Sequence, residues 1–235
     1  MTVLQPEDGR LVEVGAVAGI GRGEQIYAVR MIGAVGYVVT YRRTDPLFTL
    51  DLGDPTAPKV VGELEIPGYS AYLHPVGDGL LLGVGRDGDA DGRVAGAQVS
   101  LFDVSDPARP ARLDQVALGS DRSGATAEYD HRAFLYWDAT GLTLLPVTEW
   151  PTTYHGDGQP EDGFVGAVGV RVDAATRSLE TVGRIDQASA HDEPWDGRSQ
   201  ILRSLVVGDH VLTVAATGIL QSDLTTLAPQ ADLTF

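Results

Sequence analysis

Two stretches decide the fold: LDLGDPTAPKVVG at residues 50–62 and LFDVSDPARPARL at residues 101–113. Each reads as a β-run, a Gly/Ser-Asp-Pro turn, a second proline and another β-run. The turn chemistry is specific, because an aspartate caps a turn from its first position and proline presets φ at the next. Asp54-Pro55 and Asp106-Pro107 stand 52 residues apart. Weaker copies follow in VRVDAATRSLETVGRI at 170–185 and LQSDLTTLAPQADLTF at 220–235, and a partial copy opens the chain in TVLQPEDGRLVEVG at 2–15. A second hairpin type alternates with the first. AVRMIGAVGYVVTY at 28–41, AYLHPVGDGLLLGV at 71–84 and LRSLVVGDHVLTVA at 202–215 are each strand, Gly turn and strand, and HRAFLYWDATGLTLLPV at 131–147 is the same with a longer turn.

Four strands per unit of about fifty residues is the repeat of a β-propeller blade, whose two faces are buried only when neighbours stack on them. The sequence therefore predicts an all-β protein, a β-propeller of four-stranded antiparallel blades. Full blades are expected at 25–67, 70–118, 128–185 and 198–235, and the outer half of a preceding blade at 1–22. The predicted strands include one across 131–137. A β-sandwich is the competing architecture, but it does not generate self-similarity at this period.

Composition narrows the function. The chain has 235 residues, 43% of them hydrophobic, enough for a sizeable core. A net charge of −16 argues against nucleic acid, whose phosphates need a basic footprint. With no cysteine, disulfides and thiolate chemistry are excluded. No apolar run reaches the roughly 20 residues of a membrane span. The chain opens on TVLQPEDG rather than on an export signal, so a piece of a longer protein is expected.

The run from IYAVRMIGAVGYVVTY through VSLFDVSDPARPARLDQVALG to YDHRAFLYW, at residues 26–137, resembles the bacterial secreted β-propeller-domain family. That resemblance covers nearly the whole chain and is stronger before residue 150 than after it. It implies a propeller with further blades upstream and an extracellular or envelope location. It implies no particular activity.

Topology sorts the connections. The a–b and c–d turns of an antiparallel blade share one side, and the b–c and d–a connections share the other. The latter side collects the long segments at 42–46, 86–96, 120–128, 148–163 and 186–200, where binding usually resides. Among them DGDADG places Asp87, Asp89 and Asp91 at alternate positions, like the first half of a calcium loop. Gln98 stands where such a loop needs its bidentate glutamate, so a solvated hairpin tip is the simpler reading and Ca²⁺ is the one cofactor suggested. His155 lies near Asp157, and His191 beside Asp192 and Glu193, as polar loop residues or as components of a site. Counting six residues back from Gly36, Asp78, Asp138 and Asp209 reaches Arg30, Tyr72, Arg132 and Arg203. These are predicted at equivalent points of the innermost strands. They either brace neighbouring blades, with partners such as Glu128 or Asp130, or form an anion site on the axis.

The function expected is a non-catalytic binding or scaffold protein that engages a protein or envelope partner through the loop-rich acidic side. Self-association through exposed blade edges is also expected. The alternative is a metal-assisted hydrolase or lyase with its site at the channel mouth.

Overall fold

The computed structural model describes residues 1–41, 45–77, 79–89, 93–153, 162–187 and 197–235. Among these residues there is no α-helix, and the strands form a two-stranded hairpin followed by four larger antiparallel sheets. The hairpin is β1 (Thr2–Glu7) and β2 (Arg10–Ala16). Blade 1 runs from the inside out as β3 (Gln25–Ile32), β4 (Val35–Tyr41), β5 (Asp45–Asp51) and β6 (Lys59–Ile66). Blade 2 is β7 (Tyr69–Pro75), β8 (Leu80–Gly88), β9 (Val94–Asp103) and β10 (Ala111–Ala117). In blade 3, two short strands, β11 (Ser123–Ala125) and β12 (Leu135–Trp137), share the inside of β13 (Leu142–Glu149), with β14 (Phe164–Asp173) and β15 (Ser178–Asp186) beyond. Blade 4 is β16 (Arg203–Val207), β17 (His210–Ala215), β18 (Gly218–Asp223) and β19 (Pro229–Thr234).

The blades stack in chain order, and each interface is an apolar cluster. Leu81 and Phe102 face Val39 and Leu47 of blade 1, whereas Leu82, Val84, Val99 and Leu101 face Leu145, Val147 and Val170 of blade 3. Successive residues of β8 thus point into different cores, which is why its apolar run LLLGV is continuous rather than alternating. In β13, likewise, Leu142 and Leu144 face Val211 and Leu220 of blade 4. Burying each such leucine contributes about 1.5–3 kcal/mol. Met1, Val17 and Ile20 cover Val38, Phe48 and Leu50 on the other side of blade 1.

The repeated aspartate hairpin has a common physical basis. The last residue of each third strand, Asp51, Asp103, Asp173 or Asp223, accepts the backbone N–H two residues on at 2.8–3.0 Å. Asp54 and Asp106 close the following turn in the same way, on Thr56 and Ala108. Each turn then seats on the outer strand of the preceding blade. Every outer strand is bulged there, so that one residue faces the neighbour: Gly15, Gly62, Asp114 and Gly183 in order. Gly15 lies under the Pro55 carbonyl and Pro58 ring, and Gly62 under the Pro107 carbonyl and Pro110 ring. Asp114 accepts the Leu179 N–H at 2.8 Å, and Gly183 faces the Thr226 carbonyl. Thr49, opposite Gly62, donates its hydroxyl to the same Pro107 carbonyl.

Two details depart from the sequence reading. The b–c hairpin of blade 2 is longer than expected, pairing out to Gly88 and Val94. The strand expected across 131–137 begins only at Leu135.

A Cβ at Gly62 would strike the Pro107 carbonyl and stand 2.9 Å from the Pro110 ring. Gly62→Ala is therefore expected to destabilise by about 1–3 kcal/mol, several degrees in melting temperature. Gly53→Ala, in the exposed turn nearby with only the Asp51 carboxylate within reach, should change it by less than about 2 °C. Thermal melts of the two variants check this.

Candidate functional site

The inner strands of blades 1, 2 and 4 are continuous, and that of blade 3 is broken. β11 pairs with Val147–Glu149 and β12 with Leu142–Leu144, so one strand is interrupted midway. Between them lie two 3-10 turns, Thr126–Glu128 and His131–Ala133. The sequence ATAEYDHRA folds this way because its own carboxylates satisfy the turns. Glu128 reaches back to the Ala125 N–H at 2.9 Å, and Asp130 accepts the Arg132 N–H at 3.1 Å.

Neighbouring blades pin the inserted segment. Arg86 of β8 donates from Nε to Glu128 at 2.9 Å, with side-chain exposures of 28% and 11%. Tyr69 donates its hydroxyl to the same oxygen at 3.3 Å. Burial, and then the Glu128 charge, push the Tyr69 phenol up to about 12, so it remains a donor. On the other flank, Arg203 of β16 pairs with Asp130 at 2.9 Å. That bond, together with the Arg132 N–H, holds the Asp130 carboxyl below its ordinary range. Gln200 donates its amide to Thr126 at 3.2 Å and to the Tyr129 hydroxyl.

An aromatic belt lines the inner strands. Near the loop side, Tyr27, Tyr41 and Tyr69 have ring centroids 4.6–5.8 Å apart. Further along, Tyr72 lies 4.6 Å from His131 and 5.0 Å from Phe134, and His74 lies 4.8 Å from Phe134 and 5.5 Å from Tyr136. The Tyr72 hydroxyl and His74 Nδ1 are hydrogen-bonded at 3.0 Å. At the turn side, Tyr136 also borders a polar cavity of about 480 Å³ lined by Val76, Asp138, Arg171, Asp173 and Glu180.

The four positions expected to be equivalent divide. Tyr72 and Arg203 each stand four residues before the closing pair of their a–b turn, Val76–Leu80 and Val207–His210. Arg30 stands two before Ile32–Val35, so its counterparts are His74 and Leu205. The count failed because Gly36 lies on β4, whereas Asp209 lies within its turn. Arg132 is corrected outright: it occupies the second 3-10 turn, is 81% exposed and pairs with Asp130 at 3.4 Å. Bracing accordingly describes Arg203, while Arg30, half-buried, has no ion pair among the described residues.

Asp87 accepts the Gly88 N–H at 2.8 Å, and Asp89 accepts the Arg93 N–H at 2.9 Å. Asp91 lies outside the described residues, as do His155 and His191 with the carboxylates beside them. Among the described residues no three potential metal ligands converge. Sequence reasoning named Glu128 as a bracing carboxylate but missed Arg86 and Tyr69, the residues that hold it. The charge density of AEYDHR, where the other inner strands are largely apolar, signals the carboxylates but not these distant partners.

Stacked four-stranded sheets with their inner strands about a common axis define a β-propeller. The family described as "Beta propeller domain" matches residues 1–227, and the chain belongs to it. Over 140 residues the chain is 45% identical to protein MJ1554 of Methanocaldococcus jannaschii and, equally, to a protein of Archaeoglobus fulgidus. Each alignment covers 60% of this chain and 21% of the relative, so the matched stretch spans about a fifth of those archaeal proteins. Among solved structures, a putative 6-phosphogluconolactonase from Bacteroides fragilis matches with a TM-score of 0.54 and 14% identity, covering 99% of this chain and 64% of that one. Sqt1 from Saccharomyces cerevisiae matches with a TM-score of 0.53 and 10% identity, covering 90% and 48%. At these identities the likeness is one of fold.

Burial, and then the Arg30 charge, push His74 down to about 4. An unfolded histidine protonates near 6.5. Between those values the unfolded chain binds a proton that the native one lacks, so stability falls as the pH drops through this window. The turn carboxylates Asp51, Asp103, Asp173 and Asp223, held low by their hydrogen bonds, lose their contribution only below about pH 4. His74→Gln should therefore flatten the melting temperature between pH 6.5 and 4.5. After allowance for solvent screening the effect is on the order of 1–2 kcal/mol. Equal slopes for variant and wild type would contradict this assignment.

Proposed function

We propose that this propeller is a binding protein that engages a protein partner on its loop-bearing side, at the inserted segment of blade 3. The observation that carries the reading is Tyr129, 70% exposed on a segment fixed at both ends by ion pairs to neighbouring blades. Trp150, 49% exposed, follows β13 and donates its backbone N–H to the Arg122 carbonyl. A Cβ on Gly124 would stand 3.2 Å from its ring and 2.9 Å from the Arg86 guanidinium. Exposed tyrosine, tryptophan and arginine held in place lose little entropy on binding and dominate protein interfaces. The acidic surface around them favours a partner with basic groups. In this reading the partner is met outside the cytoplasm, as the family resemblance implies, and Ca²⁺ at the Asp87–Asp91 loop remains a further expectation of the sequence.

The test is capture by the full-length protein with its inserted segment altered. Tyr129→Ala with Trp150→Ala should weaken retention of the captured protein at least tenfold, while the melting temperature stays within a few degrees. Retention unchanged by the double substitution, or no protein retained by the wild type, would overturn the reading.

A further inference from the structure

Blade 4 turns an apolar face away from blade 3. Val211 and Leu220 point into the core shared with blade 3, so Leu212, Val214, Ile219 and Leu233 lie on the other side of the sheet. Leu205 and Val207 continue that side onto the inner strand. Leu212, Val214 and Ile219 hold the register positions of Leu82, Val84 and Val99 in blade 2, which blade 3 buries completely. In blade 4, by contrast, Leu205, Val207 and Leu233 are 49–58% exposed. β19 also repeats the bulge of the other outer strands. It brings Ala231, opposite Gln221, to the place held by Gly15, Gly62, Asp114 and Gly183. The face thus has the build of an inter-blade interface, whereas the last unit of a stack is kept soluble by a polar outer face.

We propose that two copies of the chain dock through this face, blade 4 on blade 4 about a two-fold axis. Three observations select a second copy. First, the protein carries a net charge of −16, yet the only carboxylate at the register positions of this face is Asp223. Its oxygen accepts the Thr225 and Thr226 N–H groups. The face therefore holds little to attract a basic partner, and two acidic molecules meet here with least repulsion. Second, the apolar side chains run the width of the sheet, from Leu205 on the inner strand to Leu233 on the outer, so the face complements itself over its full extent. Third, the opposite end of the stack does not match that extent. The β1–β2 hairpin has only two strands, and its tight turn, with Asp8 and Gly9 at φ 49° and 76°, lacks the long aspartate loop that seats on an outer strand. This inference goes beyond the partner surface at Tyr129 and does not rest on it.

Sedimentation equilibrium of the 235-residue protein is the test, in about 1 M salt, where a screening length of about 3 Å suppresses mutual repulsion. The mass should rise with concentration from 24.9 kDa to twice that value and no further. Leu205→Glu with Leu233→Glu should hold the protein at the single-chain mass, because each copy would bring two carboxylates into an apolar contact. The milder pair Leu205→Thr with Leu233→Thr keeps strand propensity and should weaken association at least tenfold. Leu11→Glu with Met31→Glu, at the opposite end of the stack, should dimerise like wild type. Tyr129→Ala should do the same, so failure here and failure of the partner surface are read separately. Four results would overturn the proposal: a wild type at the single-chain mass up to about 0.2 mM, growth beyond the dimer, dimers that survive both Leu205 and Leu233 pairs, or loss of the dimer with the Leu11 and Met31 pair. The last would point to head-to-tail contact instead.

Discussion

The structure depends on how one blade's outer turn seats on the preceding blade's outer strand. A carboxylate closes the turn, proline stiffens it, and its carbonyls are delivered to a bulged position on the preceding sheet. At Gly15 and Gly62 that position has no side chain, so backbone meets backbone and Pro58 or Pro110 covers the contact. The bulge is needed because a regular strand would turn the neighbouring residue to this face instead. Asp114 reaches the same end by a different bond, accepting the Leu179 N–H. The recurring hairpin is thus the mark of one interface, repeated between successive blades.

Regular stacking at the rim leaves the axis free to vary. Inner strands make fewer obligatory contacts, and blade 3 uses that freedom by breaking its strand between Ala125 and Leu135. The break exposes backbone and charge, and both are compensated locally. Glu128 and Asp130 close the 3-10 turns with one set of bonds and hold Arg86 and Arg203 with another. A pair as shielded as Arg86–Glu128 is sensitive to removal of either partner alone, because the other is left partly buried and uncompensated. The inserted segment is consequently rigid where it meets its neighbours and exposed at Tyr129 between them.

What the sequence disclosed follows from which contacts are local. Asp54-Pro55 and Asp106-Pro107 form their turns from adjacent residues, so the motif survives in the sequence and the blades can be read from it. Continuous apolar runs such as LLLGV also announced strands buried on both faces. The broken strand was hidden because HRAFLYW has the composition of a strand, and only the carboxylates just before it reveal the turns. Arg30 and Arg203 were misaligned by two residues because a–b turns of different length were counted from unlike positions. Partners such as Arg86 for Glu128, 42 residues apart, depend on blade stacking and leave no local trace.

The central claim is that neighbouring blades hold the inserted segment of blade 3 through its carboxylates. The most direct measurement is a double-mutant cycle for stability on Arg86→Met and Glu128→Gln. Coupling of about 1–3 kcal/mol is predicted, each single substitution destabilising more than the pair together implies. Additive effects within about 0.3 kcal/mol would show that the segment keeps its place without the pair, and would contradict the account.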